Sequence, residues 1–323
     1  MLQLRIICPA DRTDAVTALL RRAVGTANLV VLPGAGRDPA GDLVLCDVAR
    51  EAADELTDEL RELRLAEDGS IVLQDIAVSL SQRAERAERE APGEPADAVL
   101  WEELSEATHE ESTVSVTYLA FMTVAVMIAA CGVMLDNAIL IVGAMAVGPE
   151  FGPLSGVSTG LVLGRLREAG RSLTALLTGF AVAMAVTTLF TLVLDAAGLF
   201  TPDMLARKNG LTEFVWQPGH LSFVVALLAG IAGTLSLTSE KSGALIGVAI
   251  SVTTVPAAAN AAAALAYGDL QELRGSGRQL ALNLIGIISA GALTLLVQKT
   301  LLERTKRRER ALAEQRAAGA TGR

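Results

Sequence analysis

The stretch GAMAVGPEFGPLSGVSTGLVLG, from Gly143 to Gly164, places one carboxylate inside one of the most apolar parts of the chain. That carboxylate, Glu150, lies between Pro149 and Pro153, and each proline lacks the amide hydrogen that a helix interior needs. An ionised side chain at the centre of a bilayer costs a few kcal/mol even on the mildest insertion scale. We therefore expect this stretch to break a membrane-spanning helix, and we expect Glu150 to face protein or water.

The composition around this stretch predicts a polytopic α-helical membrane protein. Of the 323 residues, 51% are hydrophobic and only 3% are aromatic, and the apolar residues form long blocks. Six blocks have little or no interior charge and approach the roughly 20 residues that a helix needs to cross a bilayer. These predicted spans are Val114–Leu135, Ala138–Leu163, Leu173–Leu199, Leu221–Leu237, Ala244–Tyr267 and Leu280–Val297.

Charge divides the chain into regions and predicts its orientation. The net charge is -9 overall, but the acidic residues are concentrated before residue 113 and the last 25 residues are basic. No secretory signal opens the chain. Lys and Arg residues near the span ends are more numerous on the side of the membrane that holds both termini, which is the pattern of the cytoplasmic side. We therefore expect a protein of the cell (inner) membrane with both termini in the cytoplasm. The basic segment RTKRRER is interpreted as a topology signal at lipid headgroups, and no nucleic-acid partner is expected.

The region before the spans has the periodicity of a small α+β domain. Alternating apolar residues predict strands and helical spacing predicts two helices, in the order βαββαβ, which is the ferredoxin-like arrangement. The predicted domains are a cytoplasmic ferredoxin-like domain (1–81), a charged linker with an interfacial helix (82–112), a transmembrane domain (113–298) and a basic cytoplasmic tail (299–323).

The second and fifth predicted spans resemble each other when they are aligned 104 residues apart. In that alignment Gly143 falls on Gly247 and Gly164 falls on Gly268. Each repeat would contain three spans, so the two halves would cross the membrane in opposite directions. Such a 3+3 inverted repeat, with Gly and Pro interruptions at matching places, is typical of transporters that bind near the bilayer midplane.

The alignment also assembles a candidate binding site. Thr254 matches Glu150, and hydroxyl and amide side chains lie near it in the sequence. Carboxylate, hydroxyl and amide groups together could bind a proton, a hard cation or a small polar solute, whereas a purely structural hydrogen bond from Glu150 is the alternative. The candidate site residues are Glu150, Pro149, Pro153, Thr253, Thr254, Asn260 and Asn283.

Glycine recurs every four residues along the opening stretch and leaves one side of the helix bare. Such a ridge admits another backbone at close range, which predicts helix packing and favours a homo-oligomer in the bilayer. The ridge consists of Gly148, Gly152, Gly156, Gly160 and Gly164.

The sequence does not favour an enzyme or a cofactor. The segment GVSTG fits a hydrolase nucleophile motif, but no strand precedes it and the chain has only two histidines. The three cysteines, Cys8, Cys46 and Cys131, lack the spacing of a metal site. We expect no catalytic residues, no metal site and no cofactor.

Three segments resemble a known family: DNAILIVGAMAVGPEFGPLSG, LIGVAISVTTVP and the preceding LSFVVALLAGIAG. Together they are similar to the uncharacterised hydrophobic membrane-protein family of domain of unknown function 389, over roughly residues 115–298. The resemblance implies a polytopic membrane fold and supplies no activity. Between the two prolines, members of the family commonly have Leu-Met or similar apolar residues, whereas this chain has Glu150 and Phe151.

Two hypotheses for the function follow. The first is a transporter or channel-like protein for a small solute or ion, with a polar midplane site that includes Glu150. The alternative is a membrane-anchored oligomeric sensor or scaffold, whose cytoplasmic domain binds a ligand or partner. Whether water reaches Glu150 distinguishes the two hypotheses.

Overall fold

The computed structural model describes residues 1–93, 98–206, 220–239 and 253–321. The chain divides into two compact units, one made of Met1–Glu102 with Thr300–Arg323 and the other of Glu103–Lys299. The finer predicted division at residues 81, 112 and 298 stays a prediction.

The first unit contains the predicted α+β domain with its four-stranded sheet. The strand order is β2-β3-β1-β4, and every neighbouring pair is antiparallel. This order confirms the predicted βαββαβ arrangement. The elements are β1 (Leu2–Cys8), α1 (Thr13–Arg22), β2 (Thr26–Arg37), β3 (Ala40–Val48), α2 (Arg50–Glu62), the short helix α3 (Leu65–Asp68) and β4 (Ser70–Asp75).

Alternation along the strands determines which face of the sheet is buried. On β1, Leu4 and Ile6 are almost fully buried, and they pair with Cys46 and Val44 of β3. Side chains on one face of a strand repeat every second residue, so these four lie on the same face. The apolar sides of α1 and α2 belong to the same core, which explains the amphipathic spacing of both helices.

Asp42 ties the start of α1 to the hairpin between β2 and β3. Thr13 Oγ1 donates a hydrogen bond of 2.6 Å to Asp42 Oδ2, and the Gly34 N–H donates one of 2.7 Å to Oδ1. The bond from Thr13, and then that from Gly34, lowers the pKa of Asp42 below its ordinary value of 3.8, against the effect of burial. The carboxylate form therefore stabilises the domain.

We expect Asp42→Asn to lower the melting temperature of the full-length protein at neutral pH, because an amide cannot accept both hydrogen bonds. A lowered pKa gives stability that is present above the ordinary value of 3.8 and is lost as the pH falls through the folded-state value. The difference between parent and variant should therefore shrink on acidification. Thermal unfolding against pH checks this, with Asp11→Asn at an exposed position as the control. A difference that did not vary with pH would contradict the assignment.

Two helices connect the sheet domain to the apolar part of the chain. They are α4 (Gln82–Glu90) and α5 (Trp101–Glu111). Within the first unit, Arg61 of α2 forms a salt bridge of 2.6 Å with Glu102, the second residue of α5. A helix therefore lies where one was predicted, and its Trp101 is buried. Its place at the membrane surface stays a prediction.

Apolar helices make up most of the second unit. Asn137 caps α7, because its side chain accepts hydrogen bonds from the amides of Ile139 and Leu140. The helices are α6 (Val116–Met134), α7 (Ala138–Val147), α8 (Phe151–Val162), α9 (Leu166–Ala196), α10 (Pro202–Ala206), α11 (His220–Thr238), α12 (Thr254–Tyr267) and α13 (Leu270–Thr321), which continues beyond this unit.

The described residues contain four helices that are long and apolar enough to cross a membrane, in α6, α9, α11 and α13. The pair α7 and α8, bent by 52°, would make a fifth span if it is one broken helix. The predicted number of six exceeds this count, because part of the span Ala244–Tyr267 lies outside the described residues. The long apolar helices indicate a multi-pass membrane protein.

The two shorter helices α8 and α12 are enclosed by the others. Nine consecutive residues of α8, Gly152–Gly160, and eleven of α12, Thr254–Ala264, are buried. The long helices instead expose large apolar side chains, as lipid-facing helices do. Examples are Phe121, Leu189, Leu228 and Leu293. Small residues in α8 and α12 permit this close enclosure.

Candidate functional site

The opening stretch contains a break between two helices. Helix α7 ends at Val147 and α8 begins at Phe151, so Gly148–Glu150 lie between them. The predicted break is confirmed, and it occupies only these three residues of the stretch. Pro153 lies in the first turn of α8, where the amide hydrogen it lacks would have no partner within the helix.

Glu150 is the buried carboxylate at this break, with 3% of its surface exposed. Its Oε1 accepts a hydrogen bond of 2.9 Å from Thr254 Oγ1. Its Oε2 has no hydrogen-bond partner among the residues that the structure describes. A buried polar atom left without a partner costs about 1–3 kcal/mol, so Oε2 is a place where a proton or a donor would be stabilised.

Two helices begin beside this carboxylate. Glu150 immediately precedes α8, and its partner Thr254 is the first residue of α12. A helix N-terminus carries a partial positive charge from its unpaired amides. Both helix starts therefore favour negative charge at Glu150, which partly offsets the cost of burying it.

A second polar group surrounds Thr253, another residue of the predicted binding site. Asn283 Nδ2 donates a hydrogen bond of 3.0 Å to Thr253 Oγ1, and Gln279 Nε2 donates a longer one of 3.4 Å to the same oxygen. Gln279 Nε2 also lies 3.4 Å from Asn283 Oδ1. The structure thus joins two predicted residues, Thr253 and Asn283, directly before the start of α12.

Asn260 was predicted to belong with Glu150, but in the structure its amide donates hydrogen bonds to α13. Its Nδ2 donates to Ser276 Oγ at 2.8 Å and to Glu272 Oε2 at 3.3 Å. The reason is its position, since six residues separate it from Thr254 along α12, which is about 9 Å of helix. Asn260 of α12 therefore belongs to a third polar group, with Ser276 and Glu272 of α13.

Sequence analysis missed three polar residues of α13, namely Glu272, Ser276 and Gln279. Together with Asn283 they are spaced by four, three and four residues, so they share one face of the helix. That spacing was available in the sequence. It was overlooked because the predicted span began at Leu280, whereas α13 begins at Leu270.

The glycine ridge of α8 is filled by side chains and backbone of the same chain. A Cβ built on Gly152 would lie 2.6 Å from Glu111 Oε2, and one on Gly156 would lie 2.5 Å from Ser112 Oγ and Ser172 Oγ. A Cβ on Gly160 would lie 2.7 Å from the backbone nitrogen of Ala169. These three glycines therefore serve packing, as predicted.

The two ends of the ridge differ from that prediction. Gly148 lies in the break, where a Cβ would collide with the Glu150 carboxylate and lie 2.9 Å from Val255. Apart from its chain neighbours, Gly164 has no atom of the described residues within 4 Å of a built Cβ. Its φ of +73° is the left-handed conformation that glycine adopts after a helix, so Gly164 ends α8 and does not pack.

No group of three or more His, Cys, Asp or Glu side chains that could hold a metal ion occurs within residues 1–93, 98–206, 220–239 and 253–321. Glu150 is therefore not part of such a cluster in the described chain. Any cation there would need further oxygens from hydroxyls, amides, backbone or water.

The part of the chain that contains these residues is similar to a known family. Residues 145–289 match the family model described as "Domain of unknown function (DUF389)". This segment of the chain is similar to the DUF389 family. The predicted family resemblance is thereby confirmed, and the DUF389 segment contains the break, Glu150 and every polar residue of α12 and α13 described above.

One relative is the uncharacterised protein MJ0678 of Methanocaldococcus jannaschii. It is 23% identical over 208 residues, which are 63% of this chain and 60% of the relative. The match thus covers less than two thirds of the relative's length. No solved structure matches the chain. Neither description names an activity, so the function of the DUF389 domain has to be inferred from its geometry.

Proposed function

We propose that this protein is a non-enzymatic membrane transporter or channel-like protein for a small solute or ion, with a polar midplane site at Glu150. One observation carries the proposal. A carboxylate that is 97% buried among apolar helices keeps one oxygen without a described hydrogen-bond partner, where two helices begin. Packing gains nothing from such a group, whereas binding and release of a proton, cation or polar solute require one.

An inverted repeat is part of this proposal, and matching helix bounds support it. Helices α6 and α11 both have 19 residues, and each residue of α11 stands 104 positions after its counterpart in α6. Helices α9 and α13 also begin 104 residues apart, at Leu166 and Leu270. The hydrogen bond between Thr254 and Glu150 joins residues separated by the same 104 positions.

The ends of α8 and α12 support the repeat as well. Gly164 and Gly268 have φ values of +73° and +71°. After them, the Arg165 N–H donates to the Gly160 carbonyl at 2.8 Å, and the Asp269 N–H donates to the Ala264 carbonyl at 2.9 Å. A residue that touches its own repeat counterpart lies close to the axis relating the two halves. Glu150 and Thr254 would therefore lie near the midplane, where transporters with inverted repeats bind.

The proposed surroundings follow from the charge distribution of the sequence. We propose a multi-pass protein of the cell (inner) membrane with both termini in the cytoplasm, because Lys and Arg favour that side. We also propose a homo-oligomer, since the long helices expose apolar faces that fit lipid or another copy. A substitution at Gly156 would not test assembly, because this glycine packs against Ser112 and Ser172 of the same chain.

The alternative proposal is a membrane-anchored sensor or scaffold whose α+β domain binds a ligand or partner. The hydrogen bond from Thr254 to Glu150 fits this alternative if it only fastens α12 to α8. In that case the site would be closed to water from both sides. Solvent access at Thr254 therefore separates the two proposals.

Thiol labelling measures that access. We replace Cys131 by alanine and introduce Thr254→Cys or, one turn further into α12, Ala258→Cys as a buried control. Cys46 can stay, because burial raises the pKa of its thiol to about 11 and leaves little reactive thiolate. In membrane vesicles of known orientation, we expect an impermeant thiol reagent to label Thr254→Cys from at least one side, and Ala258→Cys from neither. Equal protection of both variants would favour the scaffold.

A further inference from the structure

The polar face of α13 connects one end of that helix with the surroundings of Glu150. Glu272 lies near the start of α13 and is half-buried, whereas Ser276, Gln279 and Asn283 are at most 1% exposed. Burying hydroxyl and amide groups among apolar helices is unfavourable unless they find hydrogen-bond partners. A stripe of three such groups is therefore an unusual feature for a helix that only packs.

Hydrogen bonds link this stripe to α12 at successive levels. Asn260 bonds to Glu272 and Ser276 at the first level, and Thr253 bonds to Gln279 and Asn283 at the second. Thr254, next in the chain, bonds to Glu150. The series of polar side chains thus leads from a half-exposed carboxylate to a buried one.

Two acceptor atoms along this series lack donors in the described part of the chain. They are Gln279 Oε1 and Glu150 Oε2. Both are oxygens, and the basic residues nearest in sequence on α13, Arg274 and Arg278, are exposed. Water or a proton supplies what such oxygens need, since each leaves an acceptor unsatisfied without it.

The corresponding route along α9 is interrupted. Glu168 and Ser172 stand 104 residues before Glu272 and Ser276, but Ala175 and Gly179 replace Gln279 and Asn283. Tyr118 of α6 fills that space. Its Oη donates a hydrogen bond of 3.3 Å to the Ala175 carbonyl, and a Cβ built on Gly179 would lie 2.6 Å from the same oxygen. Polar side chains therefore continue along α13 as far as Thr253, the neighbour of Thr254, whereas the Tyr118 ring occupies the equivalent space along α9.

We propose that protons reach Glu150 along the polar face of α13, entering at Glu272, and that Tyr118 closes the equivalent route along α9. This inference rests on the proposed function and names its ionic substrate. A hydrated proton arriving at Glu272 leaves water behind and is taken up by Glu150 at Oε2. The titratable groups facing this region from the packed elements are Tyr118 of α6, whose hydroxyl contacts α9, and Glu111, which lies against Gly152 of α8.

The test measures how fast Glu150 takes up a proton. The full-length protein in lipid vesicles is subjected to a rapid drop in pH, and infrared spectroscopy follows the band of the protonated carboxyl group. Glu150→Gln identifies the band that belongs to Glu150. We expect Ser276→Ala and Gln279→Leu to slow the growth of that band at least about tenfold, which corresponds to about 1.4 kcal/mol in the barrier.

Matched controls are available on the same helix. Ser289→Ala and Gln271→Leu make the same chemical changes at exposed positions and should keep the parent rate. Adding Tyr118→Ala to Gln279→Leu should restore fast uptake by opening the route along α9. If proton uptake stayed slow in this double variant, Tyr118 would not be what closes the route along α9.

The remaining outcomes separate this inference from the proposed function. If Glu150 in the parent protein takes up no proton after the pH drop, the carboxylate is sealed and the proposed function fails. If the parent takes up a proton and the Ser276 and Gln279 variants do so at the same rate, only the route along α13 is wrong. A slower rate in the exposed controls as well would also contradict the route.

Discussion

Glu150→Gln is expected to fold like the parent and to abolish every response to protons or cations that arises at the helix break. Glutamine has nearly the same shape, and its Oε1 can still accept the hydrogen bond from Thr254. It carries no charge and does not titrate, so proton and cation lose their common binding place. Thermal unfolding in detergent, measured across pH and with Li⁺, Na⁺ or K⁺, should therefore show a response in the parent that the variant lacks.

Two further variants make this result specific. Glu110→Gln changes an exposed carboxylate and should leave the parent response intact. Glu150→Ala removes the acceptor for Thr254 and should cost about 1–3 kcal/mol of stability. The midplane site is wrong if the Gln variant retains the complete ion and pH response of the parent.

The second large effect concerns the close approach of α8 and α9. Gly160→Ala would place a methyl group 2.7 Å from the backbone nitrogen of Ala169 and 2.9 Å from its Cβ. A backbone atom cannot rotate away, so the start of α9 has to move. We expect a loss of about 1–3 kcal/mol in the free energy of unfolding, as for other overpacked cores.

Gly143→Ala is the matched control for this substitution. Gly143 also lies within a helix, α7, but no atom of the described residues beyond that helix lies within 4 Å of a built Cβ. Alanine favours helix by up to about 1 kcal/mol over glycine, so this variant should equal or exceed the parent in stability. Unfolding of both variants in the same detergent isolates the contact with Ala169. Equal stability of the two variants would show that the ridge does not set the distance between the helices.

Several parts of this architecture were predictable because they depend on local rules. Strand alternation and helical spacing predicted the α+β domain, and the two prolines on either side of Glu150 predicted the break. The repeat alignment paired Glu150 with Thr254, and their side chains form a hydrogen bond. That pairing needed no tertiary information, because the alignment alone related the two positions.

Other parts depended on tertiary contacts that a single sequence does not encode directly. A spacing of four residues made Gly164 look like the last member of a packing ridge, but its backbone conformation ends the helix. Hydropathy excluded Glu272 and Ser276 from the sixth span because charged residues stand near them. Once α13 is known to begin at Leu270, their common face with Gln279 is evident.

The alanine-rich composition of α12 has a mechanical consequence. From Ala257 to Ala264, every side chain except that of Asn260 is a methyl group, which has no rotamer to change. Within the described structure, three side-chain hydrogen bonds hold this stretch in register. The Asn260 amide donates to Ser276 and Glu272 of α13, and the Thr188 hydroxyl donates to the Ala262 carbonyl. Because smooth surfaces interlock weakly, we expect α12 to turn or slide between its neighbours once these bonds, and those of Thr253 and Thr254 at its start, open. The resistance to such a movement is therefore concentrated in a few polar side chains.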